Sequence, residues 1–131
     1  MADKRDIVKY TSQPDLRIFE FLATVTKPTT VIYEGALGFA PNLVNEDGTI
    51  AIRIVHDEFC RHLIKRFRKP IVSTSANISG EAAPAFFKEI DARIKAGVDY
   101  IVEHRREDET PREPSAIIKW NPGGDPTIIR P

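Results

Sequence analysis

The sequence predicts an α/β (α+β) domain in which helices flank a twisted, mixed β-sheet. Short β-branched runs alternate with amphipathic stretches, the order expected when helices pack against a sheet. The clearest strand, Thr49–Ile54, places three isoleucines on one side and Thr49, Ala51 and Arg53 on the other. A helix and a second apolar run follow this strand directly, and that strand–helix–strand order favours a layered sheet.

Length, charge and cysteine usage narrow the class of protein. The 131 residues, 41% of them apolar, suffice for one compact domain, 1–131, and show no repeats. Nineteen Lys and Arg residues balance nineteen Asp and Glu residues, so an anionic partner must be met by a local patch. The single cysteine, a charged start and the lack of an apolar run of roughly 20 residues predict a cytoplasmic protein with no membrane partner.

The first half of the chain yields four predicted segments. Residues 1–13 are polar and are expected to pack little by themselves. Apolar residues three and four apart predict a short helix from Asp15 to about Thr26. Its apolar side is Leu16, Phe19, Leu22 and Ala23. Strands are predicted over Thr29–Glu34 and Thr49–Ile54, the first closed by Gly35.

The second half continues the alternation. Asp57 is expected to cap a helix that ends at Phe67 and carries the apolar stripe Phe59, Leu63, Ile64 and Phe67. Another helix is predicted to begin at Pro84, turn Phe86, Phe87, Ile90 and Ile94 inward and end at Gly97. Four further strands are predicted: Ile71–Thr74, Asp99–Glu103, Ser115–Trp120 and Thr127–Arg130.

The segment Ser73–Gly80 is the most distinctive part of the chain. It follows a predicted strand with hydroxyls, an amide and a final glycine, groups that can bind phosphate or ribose oxygens. A polar loop with helix-capping serines explains the same composition. No phosphate loop, dinucleotide fingerprint or paired-cysteine motif is present, and the three histidines lie on separate elements. We therefore predict no protein-bound metal and no catalytic nucleophile or base.

Four segments, in order, carry a resemblance to a known family. They are Lys27–Tyr33, with Pro-x-Thr before an apolar strand; Thr49–Ile54, with Thr and Arg on one strand; Lys69–Gly80, with Ser-x-Asn; and Pro114–Ile118 together with Ile128–Arg130. In these the chain resembles the YrdC-like threonylcarbamoyl-AMP synthase family. The resemblance implies the family's twisted mixed sheet and a nucleotidyltransferase activity. That reaction joins L-threonine, bicarbonate and ATP into threonylcarbamoyl-AMP and pyrophosphate, for modification of adenosine 37 in transfer RNA.

The resemblance also implies binding residues. Thr49, Ser75, Asn77, Ala83 and Arg130 would hold ATP, which brings Mg²⁺ with it. Arg53, Ser73 and Ser115 would line the side that takes L-threonine and the carbamate. A guanidinium binds a carboxylate through two hydrogen bonds, which suits Arg53 to an amino acid substrate, although a solvated arginine on a strand face is the alternative.

The resemblance covers about the last two-thirds of such a domain. The family's upstream tyrosine- or tryptophan-bearing strand and its Lys-x-Arg segment have no counterpart in the chain, and Ala116 replaces a family threonine. We therefore expect a shortened form with impaired activity. Uncovered sheet edges and apolar faces would then lead to self-association, with a homodimer as the expected form.

A basic patch offers a competing function. Arg61, Lys65 and Arg68 share one side of the helix that follows Asp57. Such a side can contact a transfer RNA or double-stranded RNA backbone, or it can be an ordinary solvated helix face. The alternatives to the synthase are an RNA-binding module of the same fold without synthase activity, and a fragment that acts only in protein interactions.

Overall fold

The protein, described over residues 1–131 by a computed structural model, divides into two compact units. The first unit comprises Met1–Ile71 and Pro114–Pro131, and the second comprises Val72–Glu113. The sheet belongs to the first unit. The description of residues 1–131 as one partial YrdC-like domain stays a prediction.

Four strands form a mixed sheet in the first unit. They are β1 (Thr29–Tyr33), β2 (Ile50–Arg53), β3 (Ala116–Lys119) and β4 (Thr127–Arg130). Their spatial order is β2-β1-β3-β4; β1 runs parallel to β3, whereas β2 and β4 run antiparallel to their neighbours. All four strands were predicted, and the mixed sheet with helices confirms the predicted α/β class.

One face of this sheet carries the hydrophobic core. Ile7, Ile18 and Val31 are almost completely buried and pack in one cluster with Ile52 and Trp120. Ile18 comes from helix α1 (Arg17–Thr24), and Ile7 comes from a 3₁₀ helix over Lys4–Lys9. The prediction that residues 1–13 pack little is therefore wrong, because Ile7 completes the core above β1.

The apolar side predicted for α1 is partly wrong as well. Leu16, placed on that side, is 65% exposed, whereas Ile18 is the buried residue of the helix. Phe19 and Leu22 pack at the edge of the core as expected. The helix begins two residues later than predicted, and this leaves Leu16 at its exposed start.

Helix α2 (Glu58–Phe67) is capped as predicted. The carboxylate of Asp57 accepts a hydrogen bond from the Cys60 N–H at 2.9 Å, and Arg68 ends the helix in a left-handed conformation. No residue of α2 is buried. Its apolar stripe exists, but Phe59, Leu63 and Phe67 are exposed to solvent.

Two predicted strands are wrong, and both fall wholly or largely in the second unit. Ile71–Thr74 and Asp99–Glu103 form no ladder. Since every strand of the molecule belongs to the first unit's sheet, the second unit holds no partner for either segment. The Arg106 side chain instead donates to the carbonyls of Ile101 and Val102, at 2.7 and 2.9 Å.

The helix predicted from Pro84 is replaced by two shorter ones. A 3₁₀ turn covers Phe87–Glu89, and α3 (Ala92–Ala96) begins after Asp91, whose carboxylate accepts from the Arg93 N–H at 2.7 Å. Gly97 follows the last helical residue, as predicted. The Asp91 cap starts a new helix and so divides the predicted one. None of the three α-helices has the length and apolarity to span a bilayer.

Candidate functional site

The sheet of the first unit has a second face on which no residue is buried. Strand pairing sets Arg53 of β2 beside Thr30 of β1, Thr30 beside Ile117 of β3, and Ile117 beside Arg130 of β4. These four residues form one row across the sheet, which we call the arginine row. Its two end residues are separated by three strand spacings, about 14 Å between Cα atoms. The two arginines therefore lie at the ends of the row, with the polar Thr30 and the apolar Ile117 between them.

Two hydroxyl groups lie at the middle of the arginine row. The Oγ1 of Thr30 and the Oγ of Ser115 are 2.9 Å apart and share a hydrogen bond. Arg130 donates from Nε and Nη2 to the Ser115 carbonyl, at 3.0 and 2.6 Å. Three predicted residues, Arg53, Ser115 and Arg130, thus share one face, and Thr30 joins them.

Arg53 is the uncompensated cation of the row. Its side chain is exposed and makes no hydrogen bond or ion pair within the protein, while its backbone carbonyl accepts from the Met1 nitrogen at 2.7 Å. A guanidinium has five N–H donors in a planar fork. Those of Arg53 are all available to an anion on this face of the sheet.

Thr49 lies outside the arginine row, in the turn before β2. It is only 3% exposed, and its hydroxyl donates to Asp47 Oδ1 at 2.7 Å while accepting from Asn45 Nδ2 at 2.9 Å. The hydrogen bonds that Asp47 accepts from the Thr49 hydroxyl and backbone N–H lower the pKa of its carboxyl. In this structure the Thr49 hydroxyl stabilises a turn, and its role toward ATP stays a prediction.

The segment Ser73–Gly80 belongs to the second unit. Ser73 and Ser75 are exposed and make no hydrogen bond, so their hydroxyls face solvent. Asn77 instead ties the loop together, because its Nδ2 donates to the carbonyls of Ile78 and Glu81, each at 2.9 Å. Gly80 has φ +84° in that turn, a conformation that favours glycine. The Oδ1 atom of Asn77 is buried without a partner.

A cavity of about 590 Å³ lies within the second unit. Ser75 and Ala83 line it, whereas Asn77 does not. Its basic lining residues are Lys95, His104, Arg105, Arg106 and Arg112, against a single acidic one, Asp108. Lys95 Nζ and Arg106 Cζ lie 4.7 and 5.2 Å from the centre of the Phe87 ring. The cavity has the volume and positive charge that suit a phosphorylated ligand with an aromatic part.

Comparison with known proteins identifies the family. The family model Sua5/YciO/YrdC, described as telomere recombination, matches residues 1–131. The chain belongs to the Sua5/YciO/YrdC family.

Relatives agree with this assignment. A protein of Methanocaldococcus jannaschii, provisionally named threonylcarbamoyl-AMP synthase, is 34% identical over 119 residues, which are 91% of this chain and 54% of the relative. A threonylcarbamoyl-AMP synthase of Stenotrophomonas maltophilia is 30% identical over 103 residues, 79% of this chain and 55% of the relative. The chain thus spans about half the length of these curated relatives. No solved structure matches it.

The segments that carry the likeness to the Sua5/YciO/YrdC family have distinct places in the fold. Lys27–Tyr33 and Thr49–Ile54 contain β1 and β2, and Pro114–Ile118 leads into β3. These three segments supply Thr30, Arg53 and Ile117 of the arginine row, and Ser115 beside it. The remaining segment, Lys69–Gly80, carries the hydroxyl-rich loop into the second unit.

Sequence reasoning missed Thr30. Its signal was present, since Thr30 alternates with the buried residues Thr29 and Val31 and must therefore point to the opposite face of β1. The partner that makes it a site residue, Ser115, is 85 positions away in the sequence. Strand pairing, which the sequence does not display, brings the two hydroxyls together.

Proposed function

We propose that the chain is part of an L-threonylcarbamoyladenylate synthase, a nucleotidyltransferase that acts in transfer RNA modification. The arginine row, with Ser115 beside it, carries this proposal, because together they set the Arg53 guanidinium and two hydroxyls on one open face of the sheet. Family membership and the names of two relatives support the reaction class.

The row suits L-threonine by its chemistry. Arg53 offers a planar fork of donors to the substrate carboxylate. The hydroxyls of Thr30 and Ser115 can donate to or accept from the threonine hydroxyl and the carbamate that forms on its nitrogen. Ser73 lies on the exposed loop of the second unit, and its assignment to the threonine side rests on the family resemblance.

The nucleotide is proposed to engage the basic cavity of the second unit. Ser75 and Ala83 line this cavity, and its cations oppose the charge of a triphosphate. Asn77 is proposed to act beside it, with Oδ1 as an unpaired acceptor. Thr49 and Arg130, which belong to the first unit, are carried over to ATP on the family resemblance.

The proposed reaction has two steps. The threonine amine attacks bicarbonate carbon and forms a carbamate with loss of water. A carbamate oxygen then attacks the α-phosphorus of ATP, and the bond to the leaving pyrophosphate breaks. Positioning and neutralisation of phosphate charge would supply the acceleration. No group of His, Cys, Asp and Glu side chains suits a resident metal ion, so Mg²⁺ is proposed to arrive bound to ATP.

Arg53 provides the decisive test. Replacement Arg53→Met should weaken L-threonine binding about tenfold to a hundredfold, since a charge-assisted hydrogen-bonded pair is lost. Arg53→Lys should recover part of the affinity, because it keeps the charge without the fork. Calorimetry measures binding, and mass spectrometry of threonylcarbamoyl-AMP measures product.

Arg66→Met serves as the matched control, since Arg66 is an exposed arginine on α2. It should bind L-threonine as the wild type does. If the wild type and Arg53→Met bind L-threonine with equal affinity, the arginine row is not the L-threonine site.

The exposed basic side of α2 favours RNA binding as a second candidate. Arg61, Lys65 and Arg68 are all exposed and lie on or next to a helix that has no buried residue. Replacing the three with glutamine should reduce both the affinity for transfer RNA and its dependence on salt concentration. If the transfer RNA affinity of this variant depends on salt concentration as strongly as that of the wild type, these three residues do not form the RNA-binding surface. RNA binding that ignores ATP and L-threonine would favour a binding module over the synthase.

A further inference from the structure

Ile117 is the apolar residue of the arginine row, and no step of the proposed reaction uses it. It alternates along β3 with Ile118, which is buried in the core, so its side chain lies on the opposite, open face of the sheet. Strand pairing sets it beside Thr30 on one side and Arg130 on the other. Ile117 is only partly buried, so apolar surface remains accessible next to the two hydroxyl groups.

The spacing of the strands brings Ile117 within reach of a ligand held at Thr30. Neighbouring strands lie about 4.8 Å apart, and apolar atoms are in contact at about 4 Å. A ligand atom above Thr30 that is displaced toward β3 therefore meets Ile117, whereas one displaced toward β2 meets Arg53. The open face thus offers a guanidinium, a hydroxyl pair and an aliphatic side chain next to one another.

The hydroxyl pair at the middle of the row can bind a ligand hydroxyl. One hydrogen bond of 2.9 Å joins Thr30 Oγ1 to Ser115 Oγ, and neither hydroxyl makes a further hydrogen bond within the protein. This bond uses one of the two hydroxyl hydrogens, so the other remains available as a donor and lone pairs remain as acceptors. A ligand hydroxyl bound here has Ile117 as its apolar neighbour.

L-Threonine carries groups that match all three chemistries. Its carboxylate suits Arg53, and its hydroxyl suits the pair formed by Thr30 and Ser115. Its methyl group is on the same carbon atom as its hydroxyl and can lie against Ile117. L-Serine has the same carboxylate and hydroxyl but lacks the methyl group.

We propose that Ile117 determines the preference for L-threonine over L-serine by contacting the methyl group of the substrate. This inference rests on the proposed function, since it takes the arginine row as the L-threonine site. It adds a residue that acts on specificity alone, because Ile117 has no polar side-chain atom with which to hold the groups that the two amino acids share.

Calorimetric titration of the full chain with L-threonine and with L-serine tests this role. Burial of one methyl group predicts that the wild type binds L-threonine about three- to tenfold more tightly. Ile117→Ala should weaken the binding of L-threonine and leave that of L-serine unchanged, so that the two affinities become nearly equal. Ile117→Val removes a single methylene and keeps the β-branched shape, so it should retain only part of the preference.

Two further variants serve as controls. Ile32→Ala makes the same change on the same open face, in the neighbouring row where Ile32 pairs with Ala51 and Lys119, and it should keep the wild-type preference. Arg53→Met should weaken the binding of both amino acids by the same factor, because both have the carboxylate, and should therefore leave the preference unchanged.

The outcomes distinguish this inference from the proposed function. If the wild type binds neither amino acid, the arginine row is not the L-threonine site, and the role of Ile117 is overturned with it. If the wild type binds both equally, if its preference survives Ile117→Ala, or if Ile32→Ala abolishes the preference as well, the role of Ile117 is overturned while the row remains an amino acid site. Should Ile117→Ala fail to fold, an unchanged preference in Ile117→Val overturns the role.

Discussion

Gly35 allows two segments of the first unit to approach closely. It follows β1 with φ +65°, and its carbonyl accepts from the Ser12 N–H at 2.8 Å. A Cβ at this position would collide with the Ser12 hydroxyl and lie 3.3 Å from the Ser12 Cβ. The glycine therefore permits the segment after the 3₁₀ helix to pass close to the end of β1.

Gly35→Ala should destabilise the protein more than the same change at Gly123. Both glycines have positive φ, which costs alanine about 1–2 kcal/mol, but no atom lies within 4 Å of a Cβ added at Gly123. The difference between the two losses of unfolding free energy measures how much the contact with Ser12 adds at Gly35. Urea unfolding gives both free energies, and equal losses would show that Ser12 moves away without cost.

Strand alternation determines the position of Arg53, whereas local hydrogen bonds determine that of Thr49. Arg53 was predicted from alternation along one strand and from the family resemblance, and β2 does place it on the face opposite Ile50 and Ile52. Thr49 follows the same alternation, yet its hydroxyl turns into the Asn45–Thr49 turn. Local hydrogen bonding at a strand's start thus overrides the strand period, and the sequence alone does not reveal this.

Among the secondary-structure elements, a segment predicted as a strand formed one only where a neighbouring strand was present to pair with it. The runs that became β1 to β4 each pair with a neighbour, while Asp99–Glu103 also has an apolar, β-branched centre but no partner strand. A β-branched run shows strand propensity, but a strand exists only when another one satisfies its backbone. Helix ends were more predictable, because Asp57 and Gly97 act on residues within one turn.

Helix α2 has no buried residue, so local interactions such as the Asp57 cap contribute a large share of its stability. Asp57→Ala removes the capping acceptor of the Cys60 N–H and should cost the helix about 1 kcal/mol. A ten-residue helix with no buried residue is marginal, so far-UV circular dichroism should lose helical signal.

Trp120 serves as the internal control for this change. It lies in the core cluster, apart from α2, and its fluorescence should stay as in the wild type. A parallel change in Trp120 fluorescence would show that α2 is coupled to the core and that its stability is not local.

For the molecule as a whole, the two edges of the sheet differ in protection. The start of the chain lies against the β2 edge, where the Met1 nitrogen donates to the Arg53 carbonyl and the Val55 N–H donates to the Met1 carbonyl. Strand β4 pairs only with β3 and is exposed along its whole length, with Ile128 at 69% and Ile129 at 57%. An apolar, unprotected edge strand is a template for pairing with another chain.

We therefore expect a homodimer formed through β4 at micromolar concentration, and Ile129→Lys should convert it to a monomer. A lysine on an edge strand opposes pairing, because association would bring like charges together and desolvate them. Val98→Lys is the matched control: it adds the same charge at a comparably exposed apolar residue of the second unit and should leave the dimer intact. Light scattering measures the mass of all three proteins. A monomeric wild type, or a dimer that survives Ile129→Lys, would mean that the β4 edge does not mediate association.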